Sequence, residues 1–111
     1  MASRPRAYSS LTIQALALLG KQVRLARKQR RMSEMDLAAR VGIARSTLQL
    51  IESGNPKVEI GAAFEAATIA GVSLFIPEGG SVLAESERVE EKLALLPRSI
   101  RRPRKKVDDD F

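Results

Sequence analysis

Apolar residues recur along most of this chain at spacings of three and four positions, which is the period of amphipathic helices. The first stripe consists of Leu16, Leu19, Val23 and Ala26. It predicts a long first helix that Ser9 or Ser10 caps and that ends near Arg31, because a serine at the N-cap accepts a hydrogen bond from a free backbone N–H. Residues 1–8 are expected to precede this helix as a flexible arm.

The middle of the chain has the pattern of two short helices joined by a tight turn. Ser33 begins the first of them, which is predicted to end at Ala39, and Asp36 completes an approximate capping box. The inward face of this helix is formed by Leu37, Ala38 and Val41. Gly42 then allows the left-handed backbone that reverses the chain, and Ile43 fills the angle between the two helices.

The second short helix is predicted over Arg45–Ser53 and ends at Gly54, with Pro56 just beyond. Leu48 and Ile51, three positions apart, are expected to face the core. The side chains left on the outside and flanks are those of Arg45, Ser46, Thr47, Gln49 and Leu50. A helix-turn-helix of this kind offers its second helix to the major groove of DNA.

A fourth helix is predicted over Val58–Ala70, closed by Gly71. Its apolar face comprises Ile60, Ala63, Phe64, Ala67 and Ala70. The next segment, Val72–Ile76, is β-branched or bulky in every position except Ser73 and fits a short strand or a fifth helical turn; the strand is favoured. A lone strand has unpaired backbone groups, so it is expected to pair with its twin in a second subunit. The residues of that dimer contact would be Val72, Leu74 and Ile76.

The residues beyond 76 form a separate C-terminal region. Pro77 to Gly80 is a linker, and Ser81 to Leu96 is predicted to be a last amphipathic helix. Its apolar positions are Val82, Val89, Leu93 and Leu96. The predicted organisation is a 1–8 arm, a 9–76 helix-turn-helix domain, a 77–80 linker, an 81–96 helix and a 97–111 disordered tail that is basic and then acidic.

The composition excludes several classes of function. The 111 residues include no cysteine and no histidine, which rules out disulfides and thiolate metal sites and removes the commonest general base. No catalytic residue, cofactor, metal or small-molecule ligand is expected. The N-terminus has no hydrophobic signal core, and no apolar run approaches the roughly 20 residues of a membrane span. A cytoplasmic location is therefore expected.

The charge of the chain favours a polyanionic partner. Lysine and arginine number 19 against 13 acidic residues, which gives a net charge of +6. Residues 21–45 contain eight basic residues and only two acidic ones, Glu34 and Asp36. This basic block includes the start of the helix-turn-helix. Residues 98–106 hold six more cations without an acid, and Asp108–Asp110 follow them.

The outward residues of the second short helix match the chemistry of base recognition. Arg45 can donate its forked N–H groups to guanine O6 and N7, and Gln49 one turn later suits adenine N6 and N7. Ser46 and Thr47 suit phosphate or a thymine methyl group. The other candidates for contact with the DNA backbone are Lys57 and Ser33. The alternative is that these are only the polar side chains that any exposed helix carries.

The stretch from Leu18 to Leu74, which begins LLGKQVRLARKQRRMSEMDLAARVGIARSTLQLIESG, resembles the Xre-type helix-turn-helix family of lambdoid repressors and Cro. The resemblance implies an all-α, lambda-repressor-like domain of the five-helix type, here with a short dimerisation strand and an added C-terminal helix. It also implies a homodimeric, sequence-specific transcriptional repressor. In this family an arginine of the first helix forms a buried ion pair with a glutamate that ends the recognition helix; the matching residues are Arg27 and Glu52.

Three positions depart from the family pattern. Glu34 stands where a glutamine commonly contacts a phosphate, and a carboxylate would repel phosphate, so no DNA contact is expected from it. Ala44 stands where serine or threonine usually caps the recognition helix, which weakens that cap by about 1 kcal/mol. Leu50 replaces a frequent polar or basic residue, so fewer base-contacting donors remain.

The segment NPKVEIGAAFEAATIAGVSLF and the C-terminal VDDDF resemble HipB-like antitoxins, which bind HipA-like kinase toxins and repress their own promoters. This resemblance implies the antitoxin of a type II toxin-antitoxin pair. Its partner-binding tail would comprise Asp108, Asp109, Asp110 and Phe111. The basic segment near Arg101 would dock onto the partner together with these residues; the alternatives are that this basic segment only solvates the chain or that it follows DNA phosphates. The alternatives are a stand-alone Xre-type repressor and a protein-interaction scaffold without DNA affinity, which Glu34 and Leu50 favour.

Overall fold

The structure, a computed structural model, describes residues 7–77 and 79–102. Over these residues the chain has five helices and no strand, which confirms the all-α prediction. The helices are α1 (Ser10–Gln29), α2 (Glu34–Val41), α3 (Arg45–Glu52), α4 (Ile60–Ala70) and α5 (Val82–Ala94). Helices α1 to α4 form one compact unit, and α5 belongs to a second. The predicted partner-binding residues Asp108, Asp109, Asp110 and Phe111 lie outside the described residues.

Serine side chains cap the starts of three helices. The N-cap of α1 is Ser9, whose hydroxyl oxygen accepts the backbone N–H of Thr12 at 3.4 Å. Ser33 caps α2 in a full capping box with Asp36, in which each side chain accepts the backbone N–H of the other residue at 3.0 Å. The bond from the Ser33 backbone N–H is the main cause that lowers the pKa of the Asp36 carboxyl. Ser81 caps α5 in the same way as Ser9.

The core of the first unit combines large side chains from α1 to α3 with small side chains from α4. Val23, Leu37 and Leu48 are fully buried. The fully buried residues of α4 are all alanines, namely Ala66, Ala67 and Ala70. Because alanine projects only a methyl group, α4 can pack closely against both α1 and α2, which it contacts.

Gly20 allows α1 to approach the C-terminal end of α3. A Cβ atom at this position would lie 2.5 Å from the carbonyl oxygen of Glu52 and 2.6 Å from that of Ile51. Both oxygens belong to the backbone of α3, so they cannot rotate away as a side chain could. Glycine is therefore the residue that fits at this crossing of the two helices.

The buried face of α4 differs from the predicted face at two positions. Ile60, predicted to face the core, is 67% exposed, whereas Ala66, which the predicted face lacked, is fully buried. The cause is the start of the helix, which lies at Ile60 rather than at Val58 and leaves Ile60 at the edge of the core. The other predicted positions are buried or half-buried, namely Ala63, Phe64, Ala67 and Ala70.

The strand predicted over Val72–Ile76 is wrong, because in the structure this segment is neither a strand nor a helical turn. Phe75 has a φ of 69°, which takes the backbone out of the extended region. Its ring packs edge-on against Phe64, with the ring centroids 5.7 Å apart. Val72 and Leu74 are half-buried against the core of the first unit. The apolar residues that suggested a strand pair therefore already have contacts within the unit.

Helix α5 has no buried residue. The helix ends at Ala94, two residues before the predicted end at Leu96. The predicted apolar positions are between 50% and 58% exposed, and they are Val82, Val89, Leu93 and, beyond the helix, Leu96. An exposed ion pair joins Arg88 Nη1 to Glu85 Oε2 at 2.7 Å on the same helix. The helix is thus amphipathic, as predicted, with its apolar stripe accessible.

Substituting Gly20→Ala is expected to destabilise the first unit by about 1–3 kcal/mol, because the added methyl group overlaps backbone atoms of α3. The matched control is Gly61→Ala, also within a helix, where the nearest atom to an added Cβ is a Glu59 carboxylate oxygen at 3.6 Å. That control should gain about 0.5–1 kcal/mol, because alanine favours the helix. Urea unfolding followed by circular dichroism measures both variants, and equal effects of the two would contradict the close approach at Gly20.

Candidate nucleic-acid interface

A tight corner joins α2 to α3. Gly42 ends α2 in the left-handed conformation, with a φ of 84°. Its N–H and that of Ile43 both donate to the carbonyl oxygen of Ala38, at 2.9 and 3.0 Å, and these bonds close the last turn of α2. Ile43 packs half-buried against the core. The glycine and the apolar residue thus have the roles at the corner that the sequence predicted.

Helix α3 has one buried face and one accessible face. Leu48 is fully buried and Ile51 is 4% exposed, so these two side chains hold the helix on the core. Arg45, Ser46 and Gln49 are turned away from the core and exposed, whereas Thr47, which is half-buried, and Leu50, which is 44% exposed, lie on the flanks of the helix. The structure therefore brings Arg45, Ser46 and Gln49 together on the accessible face of α3 and leaves Thr47 at its edge.

The two other predicted DNA contacts lie outside α3. Lys57 is exposed in the loop that follows α3, where its backbone N–H donates to Asn55 Oδ1 at 2.8 Å and fixes the turn. Ser33 is exposed at the N-cap of α2, and its backbone N–H and hydroxyl oxygen both take part in the capping box. The Ser33 hydroxyl can still donate its hydrogen to a phosphate oxygen.

Glu34 connects the start of α2 to α3, a role that the sequence analysis missed. Its Oε1 accepts hydrogen bonds from Arg45 Nε at 2.9 Å and from Gln49 Nε2 at 3.0 Å. The bond from Gln49, followed by that from Arg45, lowers the pKa of the Glu34 carboxyl, so the group is ionised at neutral pH. The sequence signal that could have indicated this contact is an acidic residue at the first position of α2 and a basic residue at the first position of α3.

A bidentate ion pair fixes the C-terminal end of α3. Arg27 of α1 donates from Nε to Glu52 Oε2 at 2.7 Å and from Nη2 to Oε1 at 3.0 Å. The third nitrogen, Nη1, donates to the carbonyl oxygen of Met32 at 3.0 Å. The two charged side chains are only 7% and 6% exposed, and the hydrogen bond to Glu52 raises the pKa of the Arg27 guanidinium. This pair, implied by the family resemblance, ties α1 and the α1–α2 turn to α3.

The surface near the start of α2 is basic. A shallow depression there is lined by Arg24, Arg27, Lys28, Ser33, Glu34, Met35 and Arg45. Four of these seven side chains are cationic, but Arg27 is paired with Glu52 and Arg45 with Glu34. Arg24 and Lys28, which have no ion-pair partner among the described residues, give the depression the positive charge that attracts a polyanion. Further exposed cations of α1 and α2 are Lys21 and Arg40.

Comparison with known proteins identifies the motif. Residues 23–75 match the family HTH_3, described as Helix-turn-helix. This match supports the Xre-type family and a DNA-binding transcription regulator, and the helical architecture is consistent with a lambda-repressor-like fold. No curated protein and no solved structure matches the chain. Within residues 7–77 and 79–102, no helix has the length and hydropathy to cross a membrane, and no group of His, Cys, Asp or Glu is placed to hold a metal ion.

Removing one partner of the buried ion pair, by Glu52→Ala, is expected to lower the free energy of unfolding by about 3–5 kcal/mol, because Arg27 stays buried without its counter-charge. The matched control Glu65→Ala removes the same charge from an exposed position of α4 and should change stability by less than about 0.5 kcal/mol. Urea unfolding measures both variants. A loss below about 1 kcal/mol for Glu52→Ala would show that the pair is solvated in solution.

Proposed function

We propose that this chain is a sequence-specific transcriptional repressor that inserts α3 into the major groove of duplex DNA. The observation that carries the proposal is the division of α3 into two faces. Leu48 and Ile51 hold one face on the core, and the other face presents polar side chains to solvent. The helix-turn-helix match over residues 23–75 supports the same function.

Arg45 is the residue that we propose for direct contact with a base. Glu34 accepts a hydrogen bond only from the Nε of Arg45. Among the described residues, neither terminal nitrogen of Arg45 has a hydrogen-bond partner. These nitrogens form the fork that suits guanine O6 and N7. The side chain is 58% exposed, so a base edge can reach them.

Contacts with the DNA backbone would position the protein on the duplex. The residues proposed for these contacts are Ser33, Ser46, Thr47 and Lys57. Hydroxyl and ammonium groups suit phosphate oxygens, which carry no sequence information themselves. The exposed cations near the start of α2 would add a salt-dependent attraction to the same phosphates.

The proposed repressor is a homodimer. Two copies related by a two-fold axis would present their α3 helices to half-sites about 34 Å apart. One surface for this contact is the exposed apolar stripe formed by Val82, Val89 and Leu93 of α5, together with Leu96 just beyond the end of the helix. Burial of such a stripe against a second copy removes apolar area from water. A second candidate surface for the dimer contact is formed by Val72, Leu74 and Ile76. These three side chains are already half-buried within one copy.

The second candidate function is that of an antitoxin that binds a HipA-like kinase toxin and represses its own operon in the cytoplasm. It is supported by the segment 55–75, which resembles HipB-like antitoxins, and by the acidic residues at 108–110. Repression and toxin binding are compatible, because the toxin would bind the segment after α4, the last helix or the tail, whereas DNA would bind α3. A kinase-like toxin encoded beside this gene would favour the antitoxin. Binding to the protein's own upstream DNA would exclude a scaffold without DNA affinity.

Substituting Arg45→Ala is expected to weaken binding to the protein's own upstream DNA by about 1–3 kcal/mol and to relax the preference at one base pair. Footprinting and fluorescence anisotropy at several salt concentrations measure these effects. The control Arg88→Ala removes the same charge from α5 and should leave the base preference unchanged. If Arg45→Ala weakened binding equally for all DNA sequences, Arg45 would contact a phosphate instead of a base. If the unaltered protein bound no duplex selectively, the proposed function would be refuted.

The double substitution Val89→Ser and Leu93→Ser is expected to produce a monomer at concentrations where the unaltered protein is a dimer, because it removes apolar area from the α5 stripe. The control, Glu87→Ser with Glu91→Ser, changes two exposed residues on the opposite side of the same helix and should leave the dimer intact. Size-exclusion chromatography with light scattering measures the mass. If the variant stayed dimeric, the dimer interface would not lie on α5.

A further inference from the structure

The outer face of α1 carries an exposed apolar stripe. Leu11, Leu18 and Leu25 follow one another at intervals of seven residues and are between 57% and 74% exposed. Side chains seven positions apart in a helix lie on nearly the same face. Single exposed apolar residues are common on protein surfaces, but a row of them along one helix face indicates an interaction surface. These three leucines form the α1 stripe.

The α1 stripe lies on the side of α1 that is opposite to α3. Gly20 and Arg27 are the residues of α1 that approach Glu52 at the end of α3. Each of them follows a leucine of the stripe by two positions, which in a helix is a rotation of about 200°. A partner bound to the stripe would therefore approach α1 from the side away from α3.

The exposed apolar residues of α5 have the same spacing. In the α5 stripe, Val82 and Val89 lie seven positions apart, and Leu96 follows Val89 by another seven, just beyond the end of the helix. Leu93 lies beside Val89, four positions further along the same face. Two helices with apolar residues at a period of seven pack side by side, with the side chains of one fitting between those of the other. The α1 and α5 stripes therefore match in period.

The charges of the two helices are complementary. In α1 the cations without an ion-pair partner among the described residues are Lys21, Arg24 and Lys28, and this helix has no acidic residue. In α5 four acidic residues outnumber two basic ones, so the helix keeps a net negative charge although Arg88 pairs with Glu85. Opposite net charges favour a contact of α1 with α5 over a contact of either helix with its own copy, which would bring like charges together.

Several of these charges lie beside the apolar stripes. Lys21 and Lys28 each follow a leucine of the α1 stripe by three positions. Glu85 and Glu90 each lie three positions from an apolar residue of the α5 stripe, and Lys92 is the one base of α5 that does so. Charges that flank the apolar residues of paired helices set the choice of partner.

We propose that the α5 stripe of one copy packs against the α1 stripe of a second copy, and that the second copy returns the same contact. The inference rests on the proposed function, because it names the surface that α5 covers in the proposed homodimer. A two-fold axis makes the contact reciprocal, so each dimer contains it twice. The competing arrangement is contact of each stripe with its own copy.

The first step of the test is to alter each stripe separately in the full chain. Leu18→Ser with Leu25→Ser should raise the dimer dissociation constant by at least about 100-fold, because each of the two contacts loses two leucines. Val89→Ser with Leu93→Ser should have the same effect. The control Arg24→Ser changes an exposed residue of α1 away from the stripe and should stay within about fivefold of the unaltered protein. Sedimentation equilibrium over a range of concentrations measures each constant.

The second step is an equimolar mixture of the two double variants. If α5 packs on α1, a mixed dimer retains one intact contact, between the α5 of the first variant and the α1 of the second. The mixture should then form dimers at concentrations where each variant alone is monomeric. If each stripe packs on its own copy, every contact in a mixed dimer has one altered side, and the mixture stays monomeric.

The outcomes distinguish this inference from the proposed function. If the unaltered protein is a monomer, the proposed homodimer fails. If it is a dimer, but the variant with altered α1 stays dimeric or the mixture stays monomeric, the contact between α5 and α1 is overturned and the homodimer stands. The substituted side chains are all at least half exposed, so each variant should fold, which circular dichroism checks. Leu18→Gln with Leu25→Gln, which favours the helix more than serine does, replaces the first variant if that variant unfolds.

Discussion

The position of α3 depends on the buried ion pair between Arg27 and Glu52. Burying two charges is favourable only when they are well paired, and here two short hydrogen bonds join them while a third binds Arg27 to the chain before α2. The pair lies at the C-terminal end of α3, where Gly20 also allows α1 to come close. A helix of eight residues is marginal by itself, so contacts of this kind decide where it lies.

Much of the first unit follows from local signals in the sequence. Ser33, Asp36 and Gly42 act through their nearest neighbours along the chain, so their capping and turn roles are predictable. The buried positions Leu48 and Ile51 follow from helical spacing. The role of Glu34 could not be predicted in this way, because its partners Arg45 and Gln49 lie 11 and 15 residues away and meet it only once the corner has formed.

The two errors in the prediction concern the strand after α4 and the buried face of α4. Both arise because the local pattern of apolar residues does not specify which tertiary contacts a segment makes. The segment after α4 is apolar, and apolar content alone does not say whether a segment pairs with another strand or packs on its own domain. Here Gly71, with a φ of 96°, ends α4, the Val72 N–H returns to the Ala67 carbonyl oxygen at 2.8 Å, and Phe75 leaves the extended region. The burial of Ala66 in place of Ile60 likewise depends on where α4 begins relative to the core, which the helical period does not specify.

The carboxylate of Glu34 compensates for an unfavourable positive charge at the start of α3. This helix has no side-chain cap at Ala44 and no acid in its first turn, and it carries Arg45 at its first position, where the helix dipole disfavours a positive charge. Glu34 offsets that repulsion with an anion from α2, bonded to Arg45 at 2.9 Å. The cost is a negative charge on the surface that would face DNA, but Arg24 and Lys28 line the same depression and have no ion-pair partner among the described residues. One acid can therefore stabilise the helix start and orient its side chains while the surface as a whole still attracts phosphate.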